Sequence, residues 1–179
     1  MIHKAEIFRE KGTNRASYLR GEIDKYSWYD KGGSFLLSDI LSLILSSQLE
    51  NIDGILNDRK NTWYFFLSHL SEWAERNNFA VPFVPEGLIP SAHIFYLWSI
   101  DANQSRNLIM HLRRKGIEAM QHYQSLSQSQ GYKQYGEHGD DSFEVSEIVA
   151  KGIVRLPLWF GMTQEEREFI VDGVLSFNK

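Results

Sequence analysis

Cysteine is absent from the 179-residue chain. That rules out disulfides, thiolate metal sites and cysteine nucleophiles, and makes a reducing cytoplasm the natural compartment. A basic field is missing too. The net charge of −4 and a pI near 5.9 argue against a dedicated nucleic-acid binder. The only dense basic run, Arg113-Arg114-Lys115, falls at an expected helix end, where it complements the helix dipole. The longest apolar run, "SFLLSDILSLILSS", is interrupted by Ser and Asp and falls short of the ~20 residues that span a bilayer, so no membrane partner is expected. The first residues, "MIHKAEIFREKG", are mixed and charged, unlike a signal peptide. No dinucleotide or Walker glycine fingerprint is present. The six histidines (3, 69, 93, 111, 122 and 138) include no pair at a zinc-helix spacing with a partner Glu, so no metal site is expected. Spacing alone assembles no Ser-His-Asp set.

What is present is ordinary globular composition, 42% hydrophobic and 23% charged, at a length that suits one domain or one domain with an arm. Residues 3–11 read as a short amphipathic helix closed by Gly12, followed by a long polar-aromatic loop over residues 12–34. A helix is expected from about Phe35, with apolar residues on more than one face and therefore burial on several sides. A second runs from about Ile52 to Arg76. In it the cluster Trp63, Tyr64, Phe65, Phe66 cannot all point inward. "FAVPFVP", "SAHIFYLWSI", "IEAMQHY" and "IVRLPLW" have strand composition. Between them fall a helix with Asn103 as candidate N-cap and Gly116 at its end, a polar surface excursion over residues 124–141, and a helix over residues 143–151 closed by Gly152. Thr163 with Glu166 forms a capping box for a last helix, Gln164 to about Leu175. The order predicts an α+β domain carrying a helical arm.

The stretch Lys25–Asp39, "KYSWYDKGGSFLLSD", is the best lead to chemistry. Gly32 and Gly33 permit positive φ, and Ser34 can cap the following helix. A helix N-terminus behind glycines suits a phosphate; the same residues also make a plain helix start. His93 and His122 each sit in or beside an expected strand next to aromatics, lining a site or else satisfied by a carbonyl at a domain edge. His69 and His111 fall on helices as surface or boundary residues.

The segments "AEIFREKGTNR", "DKYSWYDKGGSFLLSD", "QLE", "AHIFY", "HY" and "RLPLW" followed by "MTQEE" resemble, in that order and over essentially the entire chain, the sugar-nucleotide aminotransferases of the DegT/DnrJ/EryC1/StrS family. The resemblance implies a fold type I homodimer using pyridoxal 5′-phosphate (PLP), with a large α/β domain that binds the cofactor and a small C-terminal domain. It implies a dTDP-sugar substrate, specifically conversion of dTDP-4-oxo-6-deoxyglucose to dTDP-4-amino-4,6-dideoxygalactose, with glutamate as donor, in cell-surface polysaccharide biosynthesis. By this likeness the chain is the C-terminal part of such an enzyme. Residues 1–34 match the end of the large domain and an active-site loop, 35–78 a helical linker arm, and 79–179 the small domain. The large PLP-binding domain and the lysine that carries the cofactor lie outside it, so no catalytic residue is assigned. The partners implied are a second copy or the missing PLP domain.

Residue by residue, the resemblance gives Ser34, with Gly32 as the turn glycine, to the PLP phosphate of the neighbouring subunit. Tyr26 and Trp28 border the active site, and His93, Tyr96, His122 and Tyr123 come near the substrate side. Two departures stand out. Leu41-Ser42-Leu43 replaces a "QAA", and "HYQSLSQ" replaces "HY-x-PLH", placing Ser125 and Ser127 where relatives carry Pro and His. Relaxed constraint and an altered sugar pocket both account for these. The functional readings left open are a contributor to a transaminase site, a non-catalytic interaction or dimerisation module, and a free-standing sugar-nucleotide binder.

Overall fold

The computed structural model describes residues 2–136 and 142–178; His138 and the end of the 124–141 excursion lie outside them. The chain divides into two compact units, Met1–Ile52 and Asp53–Lys179.

In the first unit, helix α1 (Ile2–Arg9) ends where Lys11 and Gly12 both take positive φ, 58° and 73°. The segment expected as loop contains a short helix, α2 (Arg15–Leu19). The chain then returns antiparallel to the residues that follow α1, with bridges Thr13↔Trp28 and Glu10↔Ser34. Backbone bonds run from Lys11 N–H to the Gly33 carbonyl (2.9 Å), Gly33 N–H to Phe8 (2.9 Å) and Phe35 N–H to Arg9 (3.1 Å). These bonds hold residues 33–35 extended, so helix α3 (Asp39–Glu50) begins later than Phe35, and Ser38 rather than Ser34 is its N-cap, accepting from Leu41 N–H at 3.4 Å.

The expectation that α3 is buried on several sides is not met within the chain. It has no buried residue, and Phe35, Leu36, Leu37, Ile40, Leu41, Leu43, Ile44, Leu45, Leu49 and Ile52 are all exposed. An apolar surface of that extent exceeds what a soluble monomer ordinarily shows. The purified chain is accordingly expected to self-associate in light scattering, and a monodisperse monomer would refute this.

The second unit is built on α4 (Ile52–Arg76), whose Thr62, Trp63, Phe66, Leu70, Trp73 and Ala74 form one buried stripe at helical spacing. Trp63 and Phe66 turn inward while Tyr64 is exposed, so the aromatic run does split between faces. Three antiparallel strands follow, β1 (Phe95–Trp98), β2 (Met120–Gln121) and β3 (Ile153–Leu156), ordered β1-β3-β2. The sheet is smaller than the composition suggests. Residues 79–85 contribute only an isolated Ala80↔Trp98 bridge, since Pro82 and Pro85 have no N–H for a ladder. Of "IEAMQHY", two residues are strand.

Between β1 and β2 lies α5 (Ala102–Arg114), capped by Asp101, not Asn103; Asp101 accepts from the Asn103 N–H at 2.9 Å. Gly116 follows with φ 83°, the left-handed stop expected of it. The excursion after β2 holds a 3₁₀ turn, Leu126–Gln128, and α6 (Gln130–Tyr135); α7 (Glu144–Gly152) then leads into β3. The last helix, α8 (Gln164–Leu175), opens on the expected Thr163/Glu166 capping box.

In the strands, Phe95 and Leu97 oppose Leu156 and Val154 on the buried face, against Phe66, Leu108, Leu112 and Val174. Tyr96, Trp98, Ile153 and Arg155 therefore point the other way, half-buried. The fold is α+β. Among the described residues no helix is long and apolar enough to cross a membrane.

Candidate functional site

The expected site residues fall on both units. Gly32, Ser34, Tyr26 and Trp28 are in the first; His93, Tyr96, His122 and Tyr123 are in the second.

In the first unit, neither Gly32 nor Gly33 has positive φ. Glycine is needed at 32 for close approach instead, because a Cβ there would lie 2.0 Å from the Gly12 nitrogen. Gly12 is held by a contact of its own, since with φ 73° a Cβ there would run into the Asp30 carbonyl, and its carbonyl accepts from the Tyr29 and Asp30 N–H groups at 2.7 and 3.0 Å. This lock places Ser34 beside residues 9–11. Ser34, Arg9, Lys11 and Arg15, with Glu10 and Asp39, line a cavity of about 340 Å³. Arg15 is tied to Glu10 at 2.5 Å. The side chains of Arg9 and Lys11 and the Ser34 hydroxyl bond to no described residue. Two uncommitted cations and a hydroxyl form a donor set that fits a phosphate group. Tyr26 packs its ring 5.5 Å from Tyr18, and Trp28 is 74% exposed.

In the second unit the sheet brings together residues far apart in sequence. Tyr96 on β1 and Met120 on β2 both lie opposite Arg155 on β3. His122 leaves the end of β2 and His93 precedes β1. His122 has its pKa pushed below the ordinary histidine value by burial first, then by the charges of Arg155 and His93, so its neutral form is favoured. Its Nδ1 is buried without a partner among the described residues, and so is Nε of Arg155. The guanidinium of Arg155 makes no ion pair with them and lies 5.9 Å from the centre of the Tyr123 ring. Tyr96 also lines a cavity of about 290 Å³ walled by Trp63 and residues of the proline-rich loop 82–92. The outer sheet face thus presents aromatic rings, two imidazoles and a guanidinium, N–H donors with apolar walls.

Arg155 was not among the expected residues. The signal for it was its outward phase in the alternation Val154-Arg155-Leu156, which marks a cation kept on the strand for something other than the core. His69 and His111 are helix residues already engaged, His69 within its own helix at the Phe65 carbonyl (2.8 Å) and His111 across to α8 at the Gly173 carbonyl (3.1 Å). The serines at the departure after His122 are engaged. Ser125 bonds Ser127 and Ser146 (2.8 and 3.0 Å), while Ser127 and Gln128 donate to the two oxygens of Glu147 (3.0 and 2.7 Å). They pin the turn that follows the site to α7.

A comparison with protein-family models matches residues 1–175 to the DegT/DnrJ/EryC1/StrS aminotransferase family. Among characterised proteins, the dTDP-3-amino-3,6-dideoxy-α-D-galactopyranose transaminase of Aneurinibacillus thermoaerophilus is 26% identical over 166 residues, 90% of this chain and 43% of that enzyme. Similar solved structures include DesV of S. venezuelae (TM-score 0.80, 19% identity, 99% of this chain and 45% of that one). Another is PseC of Helicobacter pylori, an aminotransferase of pseudoaminic acid biosynthesis (TM-score 0.76, 19% identity, 96% and 44%). The chain spans less than half the length of these relatives. The match extends over residues 1–175, nearly the whole chain, and the chain belongs to the DegT/DnrJ/EryC1/StrS aminotransferase family.

Proposed function

We propose that the chain acts as the C-terminal part of a PLP-dependent sugar-nucleotide transaminase, converting dTDP-4-oxo-6-deoxyglucose to dTDP-4-amino-4,6-dideoxygalactose with glutamate as donor. The observation that carries this is the family match over residues 1–175. The similarity to a transaminase named for a dTDP-amino-dideoxygalactose supports the substrate class. When bound, PLP supplies the electron sink through which the amino group passes from donor to sugar. This chain's own residues bind and orient. Ser34, with Arg9 and Lys11 in the same cavity, holds the cofactor phosphate, in a dimer that of the second subunit. Gly32 sets the backbone that brings Ser34 there. Tyr26 and Trp28 present rings to the nucleotide sugar, and His93, Tyr96 and His122 contact it from the sheet.

The test is an assay of the chain alone and together with a family PLP-binding domain, supplied dTDP-4-oxo-6-deoxyglucose and glutamate, with the product's amino position read by NMR. Turnover is expected only with both parts, and with amination at C4. Ser34→Ala should weaken PLP retention about tenfold, the loss of one hydrogen bond to a charged group. Borohydride trapping of PLP on a lysine of this chain would overturn the assignment. Amination of a dTDP-3-oxo-6-deoxy sugar, offered in a parallel assay and turned over where the 4-oxo sugar is not, would move the substrate toward that of the Aneurinibacillus relative. A second reading, a non-catalytic interaction module, is favoured by the wholly exposed apolar helix α3; it is the outcome if the joined parts pair but turn nothing over.

A further inference from the structure

Resting on the reading of the outer sheet face as a ligand surface, we infer that Arg155 is an anchor for an oxyanion, which it grips together with His122 and His93. The argument begins from what these groups lack. A buried N–H without an acceptor is costly, and native folds rarely keep one without use. Nε of Arg155 is such a group here, and with it Nδ1 of His122 is buried without a partner among the described residues, able to donate or to accept according to its tautomer. Like charges also converge: the Arg155 and His93 charges both disfavour protonation of His122.

No described carboxylate balances them. The elements packed most closely on β2 are β3, α5 and α7. Helix α7 carries Glu144, Glu147 and Lys151, and Glu147 already has both oxygens bonded to Ser127 and Gln128. Helix α5 carries Arg106, His111, Arg113 and Arg114 and no acid. Glu118, just before β2, is an exposed acid with no bond to this cluster. The Tyr123 ring, 5.9 Å from the guanidinium carbon, steadies its plane. A planar fork of donors held this way matches an oxyanion bidentately.

Two sources share that chemistry, the diphosphate of a nucleotide sugar and the carboxylate of an amino donor. The geometry serves either, and the test separates them. Binding should tighten as pH falls through the histidine range, because the anion supplies the counter-charge that lets His122 protonate.

The experiment is NMR on the full chain labelled in its histidine and arginine side chains, titrated with pyrophosphate in one arm and glutarate in the other. The expected result is movement of the His122, His93 and Arg155 side-chain signals and a raised His122 pKa. Affinity should fall about tenfold or more in Arg155→Gln and by an intermediate amount in Arg155→Lys, which keeps the charge and loses the fork. His69→Gln, on α4, should change nothing. A response to pyrophosphate alone assigns the nucleotide diphosphate, and a response to glutarate alone the donor carboxylate. If neither anion moves these signals in a folded spectrum, or if a folded Arg155→Lys binds as tightly as the parent with no change in pH dependence, the inference is wrong. Because no turnover is measured, such a failure leaves the transaminase assignment to be judged by its own assay.

Discussion

Replacing Phe66 with alanine lowers the unfolding free energy of the second unit by about 3–5 kcal/mol. Phe66 is fully buried on α4, and its ring meets that of Phe95 edge-on at 5.5 Å. Phe95 in turn touches Trp63 at 5.6 Å, so the truncation opens a cavity where helix and sheet are joined. Both neighbours are rigid rings that collapse poorly into a void, which puts the cost toward the upper part of that range. Urea unfolding followed by tryptophan fluorescence measures it. Tyr64→Ala, one residue earlier on the exposed side of the same helix, should change stability by about 0.5 kcal/mol or less. Equal effects at the two positions would refute the orientation of α4.

The second large effect is at Gly152. A Cβ there would stand 2.1 Å from the Ser99 carbonyl oxygen and 2.8 Å from Nε1 of Trp98. The first of these is backbone and cannot swing aside. The Gly152 carbonyl also accepts from Ser99 N–H at 3.1 Å and from the buried Ser105 hydroxyl at 2.7 Å, so moving it away breaks both bonds. Gly152→Ala should therefore cost about 1–3 kcal/mol from overpacking, with roughly 1 kcal/mol more for each hydrogen bond lost. Gly131→Ala is the control. That position, on α6, has only the Ser129 hydroxyl oxygen near it, at 4.0 Å, and no positive φ. Alanine there should be neutral or slightly stabilising, as in any open helix. If Gly152→Ala unfolds at the same denaturant concentration as the parent, the close crossing of β3 past the end of β1 is wrong.

The sequence announced local structure well where the cause was local. The bounds of α4 and α8 and the Thr163 capping box follow from periodicity and a four-residue signature, and all three are present. It misled where a distant partner decided. Ser34 looks like an N-cap because glycines precede it and apolar residues follow. The backbone on either side of it is nevertheless spent on Phe8, Arg9 and Lys11, and the helix start slides to Ser38. Asp101 and Asn103 are both good caps by type, and only the bond actually made separates them.

In the site, Ser34 and the two histidines were legible as types. Their company was not. Arg9 and Lys11 beside Ser34 depend on the backbone return to α1, and Arg155 beside His93 and His122 depends on β3 lying between β1 and β2. No spacing rule encodes that strand order.

The bonds from Asp58 to Gly161 and Arg167 bear on how this protein is born. Asp58, on the first turns of α4, accepts from the Gly161 N–H at 2.7 Å and pairs with Arg167 at 3.3 Å, partners 103 and 109 residues downstream. A ribosome adding about 5–20 residues per second delivers those partners roughly 5–20 seconds after Asp58 itself. For most of that interval the apolar stripe of α4 has neither β3 nor α8 to pack against. The second unit is thus a late folder during synthesis, and its longest helix is the segment on which a chaperone would find the most to hold.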